Sequence, residues 1–356
     1  MTEHRTGRAA VFRGNERGFD LLEHDVPTPD PGRVLLRMEL AGICGTDAHI
    51  YETGTGAPMA LGHENSGVVV AMGDGVAGDF TGRPLRLGDR IVPHPGAAGG
   101  AYGFRQNPAD SPPHFTGGFG QYLSLCYPDS AIFKLDAPAE IAVLLEPCSI
   151  AVHAIDRARI RIGDTVVVQG TGAIGLLTVF LARRAGAVNV IAVGGPAGRL
   201  AWAQQLGADV VFDIADVADP ATRREAILAA TPGGDGADVV FECAGAKPAV
   251  AEGIDVVRTG GTFCEVGHFI DTGEIALNPN RHFVMKDLNL VAPYGSKREH
   301  FVRARAVLEK DGAPLAGLVS HRLPLDRIGE GFEALIGGYH LDGRDAIKIA
   351  VDPWLA

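Results

Sequence analysis

The run Gly170-Thr171-Gly172-Ala173-Ile174-Gly175 constrains the fold more than any other stretch of this chain. It follows the apolar run Thr165-Val166-Val167-Val168, opens a helix-like segment from Leu176 to Ala185, and leads on to Asn189-Val190-Ile191-Ala192-Val193. In such a turn the first glycine permits a tight bend, the second lets the backbone approach a pyrophosphate, and the third allows close packing of helix on strand. The helix N-terminus then faces the phosphates. A glycine pattern alone also describes an ordinary tight loop; the flanking strands and helix make dinucleotide binding the favoured reading. Strand, turn, helix and strand in this order predict a parallel sheet with right-handed crossovers. Further β-like runs at Asp238-Val239-Val240-Phe241, Thr262-Phe263-Cys264-Glu265-Val266 and Leu288-Asn289-Leu290-Val291 extend it.

At 356 residues the chain is long for one core, and two domains are expected. Before about Ile150 it is rich in Gly and Pro, with short runs such as Val34-Leu35-Leu36-Arg37-Met38 and Gly67-Val68-Val69-Val70-Ala71, which reads as an irregular all-β unit. Between His94 and Gly118 the chain passes Pro95-Gly96, Gly99-Gly100 and Pro112-Pro113 with little periodicity, and a long surface loop is expected there. After Tyr294 a helical stretch from Glu299 to Leu308 leads to short elements ending at Ile347-Lys348-Ile349-Ala350-Val351.

No uninterrupted apolar run reaches the roughly 18 residues of a membrane span, so a soluble protein is expected. The N-terminus enters Ala9-Ala10-Val11-Phe12 without a secretory leader. Five cysteines, Cys44, Cys126, Cys148, Cys243 and Cys264, form no CxxC pair, and their odd number gives no complete disulfide framework. Both features point to the cytoplasm. A formal charge of -11 with no basic block argues against nucleic acid as a partner.

A second signal lies near the N-terminus, in Cys44-Gly45-Thr46-Asp47-Ala48-His49 and Gly62-His63-Glu64-Asn65. Zinc takes thiolate, imidazole and carboxylate ligands, and a catalytic site keeps one position open beside three protein ligands. Cys44 and His63 are the natural candidates, although singly each also reads as a buried cysteine or a hydrogen-bonded loop histidine.

Taken in order, Cys44-Gly45-Thr46-Asp47-x-His49, Gly62-His63-Glu64, Glu146-Pro147 leading to Ala151-Val152-His153-Ala154, and the glycine turn resemble the zinc-dependent medium-chain dehydrogenase/reductase family, most closely its polyol and threonine dehydrogenase branch. The resemblance covers nearly the whole chain. It implies an α/β protein with a GroES-like, β-rich catalytic domain over 1–149 and 294–356, and a Rossmann doubly wound sheet over 150–293. It implies Cys44, His63 and Glu146 as zinc ligands, with Glu64 beside them or alternating with one of them, and Asp47 orienting His63 through its other ring nitrogen. Thr46 would take the alcohol proton and His49 would continue the relay to water. Lys348 would lie near the cofactor pyrophosphate, and a homodimer or homotetramer would form through the sheet edge around Leu288 to Val291. Many members carry four cysteines for a structural zinc between the metal motif and the end of the catalytic segment. The region from His94 to Gly120 has none, so one catalytic zinc per chain is expected, with His94 and His114 read as solvated.

The second Rossmann strand usually ends in an Asp or Glu that binds the adenosine ribose and repels a 2′-phosphate. Gly194-Gly195-Pro196 stands there instead. Arg199 can approach a 2′-phosphate or equally be a solvated helix residue, so the choice between NAD and NADP stays open. The expected substrate is a secondary alcohol or its ketone, of polyol, sugar, cyclitol or hydroxy amino acid type. Tyr102, Phe104, Arg105, Phe115, Phe119, His268 and Phe269 are candidates to contact it or to pack their own segments. Two rivals remain: a zinc-free quinone or enoyl reductase of the same superfamily, and a cofactor-binding protein without turnover.

Overall fold

The computed structural model describes residues 5–54, 56–96, 102–106, 114–126 and 130–356. Its elements, in chain order, begin with β1 (Thr6–Phe12), β2 (Phe19–Asp25), β3 (Arg33–Gly42), α1 (Gly45–Thr53), β4 (Met59–Leu61), β5 (Glu64–Met72), β6 (Arg90–Pro93), β7 (Phe104–Gln106), β8 (Tyr122–Cys126), β9 (Ile132–Lys134) and α2 (Ala139–Ala142). There follow α3 (Leu145–Ala158), β10 (Thr165–Gln169), α4 (Ala173–Ala185), β11 (Asn189–Gly194), α5 (Ala197–Leu206), β12 (Val210–Asp213), α6 (Pro220–Ala229), β13 (Ala237–Glu242), α7 (Lys247–Val256), β14 (Val257–Glu265) and β15 (Asn289–Val291). The chain closes with α8 (Arg298–Asp311), β16 (Val319–Leu323), α9 (Ile328–Ile336), β17 (His340–Leu341), β18 (Arg344–Asp345) and β19 (Lys348–Val351). Two compact units result: Met1–Glu146 with Phe301–Ala356, and Pro147–His300.

In the first unit β3 is the organising strand. Its residues alternate between two apolar clusters, Val34, Leu36 and Met38 entering one and Leu35 the other, as the two-residue period of a strand requires. β3 pairs antiparallel with β5 and β8, and at its C-terminal end with β19, where Ala350 faces Gly42 and Val351 faces Ala41. The last strand of the chain is thereby laid beside the residues that precede Cys44. A smaller sheet runs β2-β1-β4-β7.

A buried ion pair ties the loop after β5 to α8. Asp79 Oδ1 accepts from Thr81 N at 2.8 Å, Thr81 Oγ1 at 2.7 Å and Arg83 N at 2.9 Å, while Oδ2 accepts from Lys134 N at 3.1 Å and Arg305 Nη1 at 2.8 Å. Burial pushes this carboxyl's pKa up, but the hydrogen bonds from Thr81, Arg83 and Lys134 outweigh it and hold the group below the usual carboxylate range.

The second unit is a six-stranded parallel sheet of order β12-β11-β10-β13-β14-β15. The order reverses between β10 and β13, which opens a crevice at the carboxyl ends of those strands. Val167, Ile191, Val240 and Phe263 fill one face of the sheet. No helix among the described residues is long and apolar enough to cross a membrane.

Substituting Asp79→Ala leaves Arg305 buried without its counter-charge, and about 3–5 kcal/mol of stability should be lost. Because the folded-state pKa lies below the unfolded one, the contribution of Asp79 is complete above the unfolded value and disappears as pH falls through the folded one. Urea unfolding of both proteins at neutral and acid pH should therefore show the gap between them narrowing on acidification.

Candidate active site

Cys44 stands at the N-cap of α1. Asp47 sits three residues on, fully buried, and its Oδ2 accepts from Cys44 N at 3.1 Å. Its Oδ1 lies 3.2 Å from His63 Nδ1. One carboxylate thus caps the helix that carries the cysteine and stands beside the ring of the histidine. Tyr102, also buried, fixes the backbone on the far side: its hydroxyl lies 3.0 Å from His63 O and 2.7 Å from Pro93 O.

Glu64 opens β5 and faces Gly42 across the β3–β5 ladder. A Cβ on Gly42 would lie 2.3 Å from Glu64 Oε2 and 3.2 Å from Lys348 Cδ, so the carboxylate in this position uses the space that a side chain at 42 would take. Cys44, His63 and Glu64 each offer a ligand atom within 4.8 Å of the other two. Soft thiolate, imidazole and carboxylate at this spacing form a donor set suited to zinc.

Glu146, at the start of α3, is buried but stands outside that group of three. Its carboxyl is pushed up to about 7, chiefly by burial; His63 pulls it down and Glu64 raises it further. For His63, burial alone would lower the pKa, yet Asp47 and Cys44 carry it well above its ordinary value.

Lys348 is not a solvated strand-end lysine: it is buried at the first position of β19, with Nζ 2.5 Å from Glu64 Oε2 and 3.1 Å from Ile43 O. The β19–β3 pairing puts it there. Burial opposes its charge, but Glu64 and Cys44 raise its pKa. Thr46 Oγ1 is 3.7 Å from Cys44 Sγ, and His49 is half-exposed on α1 with its carbonyl bonded by Thr53 Oγ1 at 2.9 Å.

The glycine turn is built as its sequence requires. Gly170 has φ 96°, and a Cβ there would meet Ala244 N at 2.7 Å; on Gly175 it would meet Gly170 O at 1.8 Å. Gly172 has nothing within 4 Å of its Cβ position, which leaves the face at the start of α4, before Ala173 and Ile174, open for close approach by a ligand. Gly194 ends β11, and Arg199 is buried at 4% exposure rather than solvated.

Sequence reasoning missed a second group. Glu242 and Glu265, at the ends of β13 and β14, lie with His268 so that their ligand atoms are within 4.8 Å of one another. His268 Nδ1 is 3.1 Å from Glu265 Oε1 and 3.5 Å from Glu242 Oε2. Burial, and then Glu265, push the Glu242 carboxyl up to about 8. Among the other substrate candidates, Phe115 and Phe119 are buried and Phe269 is exposed. The side chains of Phe104 and Arg105, and the Gly99-Gly100 and Pro112-Pro113 turns, lie outside the described residues. Nor are the two loop histidines free: His94 is buried, its Nδ1 accepting from Gly96 N at 3.0 Å, and His114 stacks on His24 at 3.7 Å between ring centroids.

Residues 30–137 match the alcohol dehydrogenase GroES-like domain family, and residues 173–310 match the zinc-binding dehydrogenase family. Human sorbitol dehydrogenase is 31% identical over 357 residues, covering 94% of this chain and 93% of its own. The chain belongs to the zinc-binding alcohol dehydrogenase family. The D-xylulose reductase of Saccharomyces cerevisiae is 36% identical over 288 residues, 75% of this chain and 77% of its own. An alcohol dehydrogenase from Thermotoga maritima superposes with a TM-score of 0.89 at 26% identity, covering 98% of this chain and 99% of its own. Membership makes the chain an oxidoreductase with zinc and a nicotinamide cofactor, and it gives the Cys44, His63 and Glu64 group its chemical context.

Lys348→Met would leave Glu64 buried with its ammonium removed. The zinc-free protein should lose about 3–5 kcal/mol, and saturating zinc should recover more stability in the variant than in the parent. Thermal unfolding with and without zinc checks both expectations; equal midpoints for the two zinc-free proteins would refute them.

Proposed function

We propose that this dehydrogenase interconverts a polyol or related secondary alcohol and its ketone, using one zinc per chain held by Cys44, His63 and a carboxylate. The observation that carries the reading is the packing of Cys44, His63 and Glu64 within 4.8 Å of one another. Glu64 is the third ligand favoured by that spacing, with buried Glu146 the alternative. When bound, zinc supplies a Lewis acid that favours loss of the alcohol proton, and the nicotinamide accepts or returns the hydride.

The chain's own residues then divide the work. Asp47 fixes the ring of His63 by taking its Nδ1 side, which leaves Nε2 for the metal. Lys348 offsets the charge of Glu64. The Thr46 hydroxyl, beside Cys44, would accept the proton of the alcohol as it hands its own on, and half-exposed His49 would pass that proton to water. The turn Gly170 to Gly175 takes the pyrophosphate at Gly172 and the start of α4, with Gly194 at the adenosine end. The polyol class follows from the relatives named sorbitol dehydrogenase and D-xylulose reductase. Exposed Val284, Met285 and Leu290 at the β15 edge suit a homo-oligomer, and the free thiols Cys44, Cys148, Cys243 and Cys264 suit the cytoplasm. A zinc-free quinone or enoyl reductase would have no use for the thiolate, imidazole and carboxylate set.

A screen of polyols, other secondary alcohols and ketones with NAD(H) and NADP(H), with and without a chelator, tests this reading. Chelator-sensitive turnover of a polyol, with close to one zinc per chain, is expected; chelator-resistant reduction of a quinone or enone would overturn it. Asp47→Asn should cost about 10–100-fold in zinc affinity or turnover.

A further inference from the structure

We propose that Asp213, at the end of β12, supplies the carboxylate that holds the adenosine ribose hydroxyls and turns away a 2′-phosphate, so that this chain selects NAD over NADP. The inference rests on the dinucleotide reading of the glycine turn.

The end of β11, where such a carboxylate usually stands, is sterically closed to one. A Cβ on Gly194 would lie 2.6 Å from Thr171 Oγ1, 2.9 Å from Thr171 Cγ2 and 3.1 Å from Thr171 N. Thr171 itself is buried and locked in place: its hydroxyl lies 3.0 Å from Gly195 O, to which it donates, and 3.2 Å from Gly195 N, from which it accepts. The second residue of the dinucleotide turn thus occupies the space that a side chain at 194 would need. An acidic group for the ribose has to come from another element.

β12 is the neighbour of β11, and Asp213 is the register partner of Gly194. Asp213 Oδ1 lies 3.2 Å from where a Cβ on Gly195 would be, so the carboxylate of one strand stands beside the place of the missing Gly195 side chain. It is held there from both sides. Oδ1 accepts from Ala215 N at 2.9 Å, and Ile214 N donates to Gly194 O at 2.9 Å. Among the described residues its other oxygen has no hydrogen-bond partner, and a ribose hydroxyl pair offers two donors.

Topology gives the position its meaning. With the pyrophosphate at the turn after β10 and the strand order reversing between β10 and β13, the adenosine half of a dinucleotide lies over β11 and β12. A 2′-phosphate, carrying a charge of about −1.5 to −2, would there meet a fixed carboxylate. Arg199, the cation nearest Gly194 in sequence, is buried in α5.

Fluorescence titration of the zinc-loaded protein with NADH and with NADPH tests the proposal without reference to turnover. The parent should bind NADH at least about tenfold more tightly than NADPH, and Asp213→Asn, which keeps the bond from Ala215 N, should weaken NADH about tenfold and narrow the ratio. Asp213→Glu should retain the preference. Asp213→Ser should narrow it as Asp213→Asn does, and serves if that variant does not accumulate. A parent that prefers NADPH, or a ratio unchanged in both the Asn and Ser variants, overturns the assignment of Asp213 while leaving the dinucleotide reading intact. A parent that binds neither cofactor overturns the dinucleotide reading itself.

Discussion

The contact between Lys348 and Glu64 joins residues 284 positions apart, and the geometry of the metal-type site depends on it. Three carboxylates, Asp47, Glu64 and Glu146, are buried around one thiol and one imidazole. Such a group cannot be removed from water without compensating positive charge. The ammonium of Lys348 provides part of it from within the chain, and a divalent cation is the natural source of the rest. The chain's final strand is therefore part of the site, not a terminal decoration. Its Ala350 pairs with Gly42, the residue that faces Glu64, and its first residue, Lys348, reaches the Glu64 carboxylate.

The same economy of backbone appears in the second unit. Each of Gly170, Gly175 and Gly194 is required because another atom already occupies the space of its missing side chain: Ala244 N, Gly170 O and the hydroxyl of Thr171. Gly172 alone is open. Thr171 consequently acts twice, as part of the glycine turn after β10 and by dictating what can stand at the end of the next strand. Close packing of this kind converts a local sequence choice into a constraint on a neighbouring element.

Much of this architecture was legible in the sequence because its signals are local. The run Thr165 to Val168 lies within β10, Val34 to Met38 within β3, and Glu299 to Leu308 within α8. α4 begins at Ala173, three residues before the helix-like apolar run starts, because the glycine turn itself carries the helix N-terminus. What was not legible depends on residues far apart in the chain. Nothing near Lys348 announces that it will be buried against Glu64, since that follows from strand pairing at Gly42. Arg199 read equally as a phosphate ligand or a solvated residue, and its burial is set by packing within the Rossmann unit. From sequence, Tyr102 is a candidate to contact substrate or to pack its own segment, yet its hydroxyl lies against the backbone carbonyl of His63. The Glu242, Glu265 and His268 group likewise forms only when two parallel strands end side by side.

In the proposed function one thiolate, one imidazole and carboxylate oxygen make up the protein's contribution to a single zinc. X-ray absorption at the zinc edge of the protein as isolated measures this directly. One sulfur neighbour is expected at about 2.3 Å, with the remaining neighbours nitrogen or oxygen at about 2.0–2.2 Å. A shell of several sulfurs, or zinc surrounded only by nitrogen and oxygen, would contradict it.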